Sequence, residues 1–234
     1  MKTVCLFLCA TIVAVSASAQ NLSPFNSGEV IEKGIDLHKK EDYKKAVAVY
    51  NTVPQNDTNY VKALYQKTLS LLMDSNYKEA LTVCEQALEL ESVYKLDLAV
   101  AKGTILDDRG TSEEALKFYD SIHINYPDAE ILNFNRAVTL IRLKRQPEAE
   151  VILQKLVLAN PYYYSAHLRL ANCALHKGRV VPAMLSLFTY LVLNPNGYHS
   201  KVSINLLSNL SKGTGGVTEM LEKREKPDEL FGQA

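Results

Sequence analysis

Histidines, acidic pairs and a glycine-rich segment are the parts of this sequence most able to do chemistry. The histidines form no His-Glu-x-x-His pattern and no cluster with cysteine, the spacings typical of zinc sites; they are His38, His123, His167, His176 and His199. Residues 213–216 (GTGG) lack the Lys-Ser/Thr pair that ends a phosphate-binding loop, and no Gly-x-Ser-x-Gly nucleophile elbow occurs. The acidic pairs at 107–108 and 113–114 flank a turn, which is typical of solvated charge. We therefore expect no catalytic residue, no cofactor, no metal site and no enzymatic activity.

The charge balance of the chain bears on the class of its partner. The 234 residues include 26 Lys and Arg against 26 Asp and Glu, and 47% are hydrophobic, which is ordinary for a packed protein. Such a balance provides no net attraction to nucleic acid or to an anionic membrane. We expect the partner to be a protein or peptide, and not a nucleic acid; the sequence does not indicate the oligomeric state.

Residues 1–19 have the layout of a secretory signal peptide. Lys2 precedes an apolar run over residues 4–15, and small residues end at Ala17 and Ala19, so cleavage would leave Gln20 first. A membrane anchor is the alternative, but the run is shorter than the roughly 20 residues that a bilayer span needs. A lipoprotein signal is also disfavoured, because bulky Leu8 precedes Cys9. We expect an exported protein, periplasmic or secreted, in a bacterial envelope, with no membrane span after cleavage.

Two cysteines, Cys84 and Cys173, follow the leader. Both lie among apolar residues, on helical segments three repeats apart in the array described next. In an array where each repeat contacts only its neighbours, their Cα atoms would lie beyond the ~7 Å limit for a disulfide. The sequence therefore predicts two reduced cysteines in the core.

A repeated helical pattern is the element that must position any site in this chain. Residues 76–90 place apolar side chains at i, i+3, i+4, i+7, i+10 and i+11, which is one face of an α-helix. The same pattern recurs at steps of 34, 35, 34 and 34 residues, marked by the small residues Ala46, Ala80, Ala115, Ala149 and Ala183. A period of this length predicts stacked helical hairpins.

Helical patterns and turn signals divide the chain into five hairpins and one more helix. The predicted helices cover residues 30–39, 43–53, 60–73, 77–90, 94–107, 113–124, 129–143, 148–158, 163–176, 181–193 and 198–210. The last is expected to cap the array with Ser203, Asn205 and Asn209 on its outer face. No stretch alternates with period two, so we expect an all-α fold. The predicted organisation is a signal peptide (1–19), a lead (20–27), a solenoid with capping helix (28–212), and a glycine-rich break with a polar tail (213–234).

The 34-residue unit resembles the tetratricopeptide repeat over about residues 27–195. The family's small residue in the first helix is matched by Gly34, Thr68, Gly103, Ala137 and Ala171, and its helix-ending proline by Pro127, Pro161 and Pro195. The family's early Trp is missing, and cations replace a frequent Leu: Lys33, Lys67, Lys102 and Arg136. The resemblance implies a right-handed superhelical solenoid of about five tetratricopeptide-like hairpins plus a C-terminal capping helix.

In that family the first helix of each hairpin lines the concave surface, where peptides commonly bind. The matching positions give a mostly apolar set: Tyr65, Leu69, Leu72, Met73, Val100, Thr104, Asp108, Phe134, Val138, Ile141, Arg142, Leu168 and Asn172. The resemblance thus implies that a partner peptide or amphipathic helix docks in this groove, with apolar anchors at Tyr65, Met73 and Phe134. Specificity is expected from a polar interruption that includes Asp97, Thr104, Asp107 and Asp108. The family's Lys and Asn clamp for a C-terminal carboxylate has no counterpart here.

Four alternatives stay open. The groove side chains could be packed against neighbouring helices or covered by the tail. The cations at turns could form an anion-binding rim instead of a solvated edge; they include Lys39, Lys45, Arg142, Arg145, Lys177 and Arg179. The array could be the docking or regulatory portion of a larger envelope enzyme or of a secretion or assembly machine. It could also associate with copies of itself through an exposed end helix.

Overall fold

The computed structural model describes residues 25–212, in which eleven α-helices are joined by short turns and no strand occurs. The helices are α1 (Ser27–Lys39), α2 (Tyr43–Tyr50), α3 (Tyr60–Met73), α4 (Tyr77–Leu88), α5 (Lys95–Asp108), α6 (Ser112–His123), α7 (Glu130–Arg142), α8 (Gln146–Ala159), α9 (Tyr164–His176), α10 (Val180–Leu193) and α11 (Ser200–Ser211). The predicted signal peptide, most of the predicted lead and the glycine-rich break with its tail lie outside the described residues.

Helices pair in sequence order and stack into one array. Each odd-numbered helix from α1 to α9, here called a first helix, packs against the following second helix, α2 to α10. Each second helix also packs against the next first helix, and α10 packs against α11. Successive first helices contact one another as well, from α1 with α3 to α7 with α9. The predicted all-α solenoid of five hairpins and a terminal helix is confirmed, and it has two layers.

The predicted helix bounds agree with the structure to within one to three residues, and α3 agrees at both ends. Two of the differences follow from proline. We predicted that the second helix of hairpin one runs to Val53, but α2 ends at Tyr50, and Val53 then donates its N–H to Tyr50 O across a tight turn. Pro54 follows, and the residue before a proline is disfavoured in helical conformation. In α8 the helix begins two residues early, at Gln146, so that Pro147 lies in the first turn, where no N–H is needed.

Small residues hold the two helices of each hairpin together. The five alanines that mark the repeat are fully buried. In hairpins one and three, Gly34 and Gly103 pack directly against the rings of Tyr50 and Tyr119. The other three hairpins carry Thr or Ala at the glycine position and Cys or Leu at the tyrosine position, sixteen residues later: Thr68 with Cys84, Ala137 with Leu153, and Ala171 with Leu187. Where the second helix carries a tyrosine at this position, the first helix therefore carries a glycine, and the missing Cβ atom leaves room for the ring.

The turn inside every hairpin contains one residue in the left-handed region. These residues are Glu41, Ser75, Gly110, Lys144 and Gly178, with φ from 57° to 92°. Each N–H bonds back to a carbonyl three residues earlier, and the following N–H bonds to a carbonyl five residues earlier, as in Ser75 to Leu72 and Asn76 to Leu71. This is the Schellman arrangement, which satisfies the last carbonyls of a helix. Because the five turns have the same hydrogen-bond pattern, the chain reverses direction in the same way in every hairpin.

Three of the four cations at the family's Leu position form ion pairs with an acid on another helix. Lys67 Nζ lies 3.6 Å from Glu79 Oε1, Lys102 Nζ lies 2.6 Å from Glu85 Oε1, and Arg136 bonds to Asp120. Lys102 also lies over the ring of Phe118, 5.3 Å from its centroid. Long cationic side chains can bury their stems while their heads stay paired. Ion pairs between helices thus replace the usual apolar contact.

The terminal helix α11 covers the end of hairpin five with Leu206, Leu207 and Leu210. Asn205 and Asn209 face solvent, as expected of a capping helix. The expectation for Ser203 was wrong, because its side chain is fully buried, while Ile204 is exposed in its place. A serine is small enough to let α11 pack closely against hairpin five. The polarity of Ser203 therefore predicted the wrong face of the helix.

Candidate partner-binding groove

The predicted groove residues lie on the first helices but differ in exposure. Met73, Asp108 and Arg142 are exposed. Six others are half-buried: Tyr65, Leu69, Leu72, Thr104, Phe134 and Val138. The remaining four are buried: Val100, Ile141, Leu168 and Asn172. Val100, Ile141 and Leu168 belong to apolar clusters that include residues of second helices, such as Tyr119 beside Val100. The surface left for a partner is therefore smaller than the predicted set of thirteen residues.

Two aromatic pairs lie on this layer, 69 residues apart in the chain. The rings of Tyr65 and Tyr94 are stacked, with centroids 5.7 Å apart and planes 23° apart, and those of Phe134 and Tyr163 are tilted by 44°, with centroids 5.4 Å apart. Each pair joins a first helix to the residue that precedes the next first helix. Burial raises the pKa of Tyr65 and raises that of Tyr163 to about 12, so both hydroxyls are neutral at physiological pH. Each pair therefore presents partly exposed aromatic surface with a neutral hydroxyl.

Two of the four residues of the predicted polar interruption, Asp107 and Asp108, belong to one network. Buried Asp107 accepts hydrogen bonds from Ser112 Oγ at 2.5 Å and from Thr139 Oγ1 at 2.9 Å. Arg142 Nη1 lies 3.0 Å from Asp107 Oδ2 and 2.9 Å from Asp108 Oδ1, and thereby joins α7 to α5. Burial opposes the charge of Arg142, yet the two carboxylates raise its pKa above the ordinary value. Asp107 is buried, so the expectation of solvated charge was wrong for this residue, and Asp108 and Arg142 are the exposed part of the network.

Asn172 is a buried member of the predicted set with an unmatched acceptor. Its side chain exposes 1% of its surface, and no donor among residues 25–212 reaches Oδ1. A buried amide oxygen without a donor is unfavourable.

The cations of the alternative anion-binding rim are mostly paired with acids. Lys45 bonds to Asp42 at 2.6 Å, and Arg145 makes two 2.7 Å bonds to Glu148. Lys177 Nζ lies 2.6 Å from Glu150 Oε2, and Arg179 bonds to the other oxygen of the same buried carboxylate. These pairs neutralise much of the charge that an anion-binding rim would need.

Cys84, Cys173 and His38 pack against other residues of the array. Cys84 and Cys173 are buried and free, as predicted, and Cys84 Sγ donates to Leu98 O at 3.2 Å. His38 Nδ1 lies 2.8 Å from Ser70 Oγ, and burial lowers the pKa of His38.

Within residues 25–212 no three His, Cys, Asp or Glu side chains converge as metal ligands would. In the same stretch, no helix is both long and apolar enough to cross a bilayer.

Two clefts lie away from the predicted groove. They have volumes of about 400 and 340 Å³, border α6, α7 and α8, and share Arg136 and Ile152. None of the thirteen predicted groove residues lines either cleft. Their polar lining includes His123, Glu130 and Lys155, and no sequence motif marked it beforehand.

Comparison with known proteins gives structural neighbours only. No family model matches the chain, and no curated protein sequence is similar to it. A thermophilic TPR protein of Thermus thermophilus is 16% identical with a TM-score of 0.66, over 78% of this chain and 99% of that one. PilW, a type IV pilus biogenesis factor, is 18% identical with a TM-score of 0.65, over 89% and 94% of the two chains. YrrB, a TPR protein with an unusual peptide-binding site, is 18% identical with a TM-score of 0.51, over 78% and 92%. The described part of this chain has the tetratricopeptide repeat fold.

Proposed function

We propose that this chain is an exported, non-enzymatic interaction scaffold that binds a peptide or helix of a partner protein in the groove along its first helices. The observation that carries the proposal is the presence of two aromatic pairs, Tyr65 with Tyr94 and Phe134 with Tyr163, on one layer of the array. Preordered rings lose little conformational entropy when a partner packs on them, and aromatic residues are enriched at interfaces.

Exposed groups elsewhere on the layer of first helices complement this role. Met73, at the end of α3, exposes 53% of its surface, and a thioether adapts to different apolar partners. The Asp108–Arg142 pair offers a carboxylate and a guanidinium on the same layer. Apolar anchors would supply affinity, and this pair would fix the register of a bound segment through hydrogen bonds.

The neighbours support the same class of function. One is described as having a peptide-binding site and another as a pilus biogenesis factor, and both share the fold of this chain. Export is proposed from the leader-like residues 1–19. Sequencing the N-terminus of the protein recovered from its native cells tests it: a first residue of Gln20 supports export, and an intact residue 1 contradicts it.

To test the groove, exposed apolar side chains are replaced by glutamate. The groove variant is Met73→Glu with Ile131→Glu, where Ile131 lies on the first helix α7, one turn before Phe134; the control is Ile124→Glu with Leu158→Glu on the second-helix layer. All four residues are exposed in the structure. Each protein, shown by circular dichroism to be folded, is used to capture partners from an extract of its native cells. We expect the parent and the control to retain one common protein that the groove variant loses. Equal capture by all three would contradict the groove as the site.

A further inference from the structure

The outer face of α10 is an uncharged apolar stripe. Val181, Leu185, Phe188 and Val192 expose 67%, 63%, 53% and 79% of their surfaces, and the helix VVPAMLSLFTYLVL contains no charged residue. The opposite face is the ordinary one, with Ala183, Leu187 and Tyr190 buried in the core. A helix that is apolar on all sides is normally enclosed on all sides.

The same positions in the other second helices are mostly polar, so the stripe is not a property of the repeat. The equivalent exposed residues are Lys44, Ala48, Asn51 and Gln55 in hairpin one, Lys78, Thr82, Glu85 and Glu89 in hairpin two, Glu113, Lys117, Asp120 and Ile124 in hairpin three, and Pro147, Val151, Gln154 and Leu158 in hairpin four. Among the described hairpins, only the last presents four large apolar side chains there. Single exposed apolar residues are common, but a continuous patch usually marks a binding surface.

The spacing of the stripe is symmetric and follows a heptad. Its steps of four, three and four residues place the side chains at alternating d and a positions, the pattern of a coiled-coil seam. Reversal of the helix gives the same steps, so the stripe has a two-fold midpoint between residues 186 and 187. In an antiparallel pair of α10 helices, Val181 would face Val192 of the other copy, and Leu185 would face Phe188. A two-fold interface requires this kind of self-complementary surface.

From this symmetry we propose that α10 pairs with α10 of a second copy of this chain, antiparallel, to form a two-fold dimer. The absence of charge on the helix removes the repulsion that two identical charged faces would meet. A helix lying on a membrane surface would need a cationic polar face, and α10 has none. Pro182 extends the patch, and a stable dimer burying roughly 800 Å² per copy would use the stripe as its apolar centre.

The first test measures mass in solution. Sedimentation of the purified full chain is followed from about 1 to 100 μM, the range in which modest dimers dissociate. The test variant is Leu185→Glu with Phe188→Glu; the matched control is Val151→Glu with Gln154→Glu, the same positions one hairpin earlier. We expect the parent and the control to dimerise, and the test variant to dimerise more than about 100-fold more weakly, because four unpaired carboxylates would then meet.

The second test measures the pairing itself. Val181→Cys and Val192→Cys chains are oxidised separately and as a mixture, and cross-linked peptides are identified by mass spectrometry. Antiparallel pairing predicts a 181–192 disulfide in the mixture and no 192–192 disulfide, since those two positions would lie about 16 Å apart along the helix axis. Cys84 and Cys173 are buried, so they do not compete.

Three results would overturn the proposal. The first is a parent chain that stays monomeric throughout the concentration range, even if something other than a second copy covers the stripe. The second is a dimer that the test variant and the control affect equally. The third is a dimer that gives 192–192 cross-links, or none at these positions, because the copies would then pair differently.

Discussion

The Cβ atom that Gly103 lacks would lie 2.2 Å from Cε1 of Tyr119. The ring of Tyr119 fills that space, and its hydroxyl lies 3.1 Å from Thr104 Oγ1 and donates to Val100 O at 3.3 Å. Gly34 and Tyr50 repeat the relationship two hairpins earlier, also with 2.2 Å between the missing Cβ and the ring. Helix-to-helix distance in these hairpins is therefore set by a glycine and a tyrosine as a unit.

Gly103→Ala is expected to lower the free energy of unfolding by about 1–3 kcal/mol, because the new methyl group overlaps a ring that cannot move away. In a Tyr119→Leu background the same change should have the opposite sign and stabilise by up to about 1 kcal/mol, since alanine is the better helix former. Hairpin four already carries this Ala and Leu combination at Ala137 and Leu153. Urea unfolding of the four proteins in this cycle measures the coupling. Additive effects would show that the two positions do not form a unit.

Ser75→Gly and Lys144→Gly are each expected to stabilise the chain by about 0.5–1 kcal/mol, since a left-handed residue with a Cβ atom costs about 1–2 kcal/mol and glycine escapes most of it. Gly110→Ala should destabilise by a similar amount for the same reason. Lys117→Gly, on the exposed side of α6, is the control and should cost about 1 kcal/mol. Thermal or urea unfolding measures all four. A destabilised Ser75→Gly would contradict the role given to the turn.

Glu150 should make the stability of hairpins four and five depend on pH. Burial alone favours the neutral acid, but hydrogen bonds from Arg179 and Lys177 hold the pKa of Glu150 below its ordinary 4.5. The unfolded chain therefore binds this proton more readily, so the stabilisation is present above about pH 5 and is lost as the pH falls through the folded pKa.

Urea unfolding between pH 3 and 7 measures the effect of Glu150. The difference in stability between the parent and Glu150→Gln should be largest near pH 7 and should shrink below pH 4.5. Glu89→Gln, at an exposed acid, should leave the shape of the parent's curve almost unchanged. Parallel curves for the parent and Glu150→Gln would rule out the stated role of this carboxylate.

Cys84 and Cys173 should resist alkylation in the folded chain. Both thiols are fully buried, and burial raises the pKa of each to about 12, so the reactive thiolate is scarce at pH 8. Peptide mapping after iodoacetamide treatment should find both unmodified in buffer and both modified in denaturant. An added Leu158→Cys, at an exposed site, should react in buffer and thereby show that the reagent is active. Rapid native labelling of Cys84 would mean that hairpin two opens readily.

Much of the fold could be predicted because its causes are local. The 34-residue period, the buried alanines and the turn residues all repeat in the sequence, and helix packing follows from them. Helix ends near proline were less predictable, as α2 and α8 illustrate, because a proline can either end a helix or begin one.

The layer of first helices could be predicted, but the exposure of its side chains could not. Position in the repeat places Val100, Ile141, Leu168 and Asn172 on first helices, but only the distance between adjacent helices decides that they are enclosed. The partners of Lys102 and Arg136 lie on helices of other hairpins, so no local pattern reveals them. The stripe on α10 could have been found, because fourteen residues without a charge are visible in the sequence of the helix.

The stacking order also sets the order in which the chain can fold. Helix packing runs between neighbours in sequence and between helices two apart, so each new hairpin needs only the one before it as a template. A chain that emerges N-terminus first, from a ribosome or from an export channel, can thus fold progressively while its last helices are still confined. The stripe of α10 would then form near the end of this process, before α11 adds Leu206, Leu207 and Leu210 to the core beneath it.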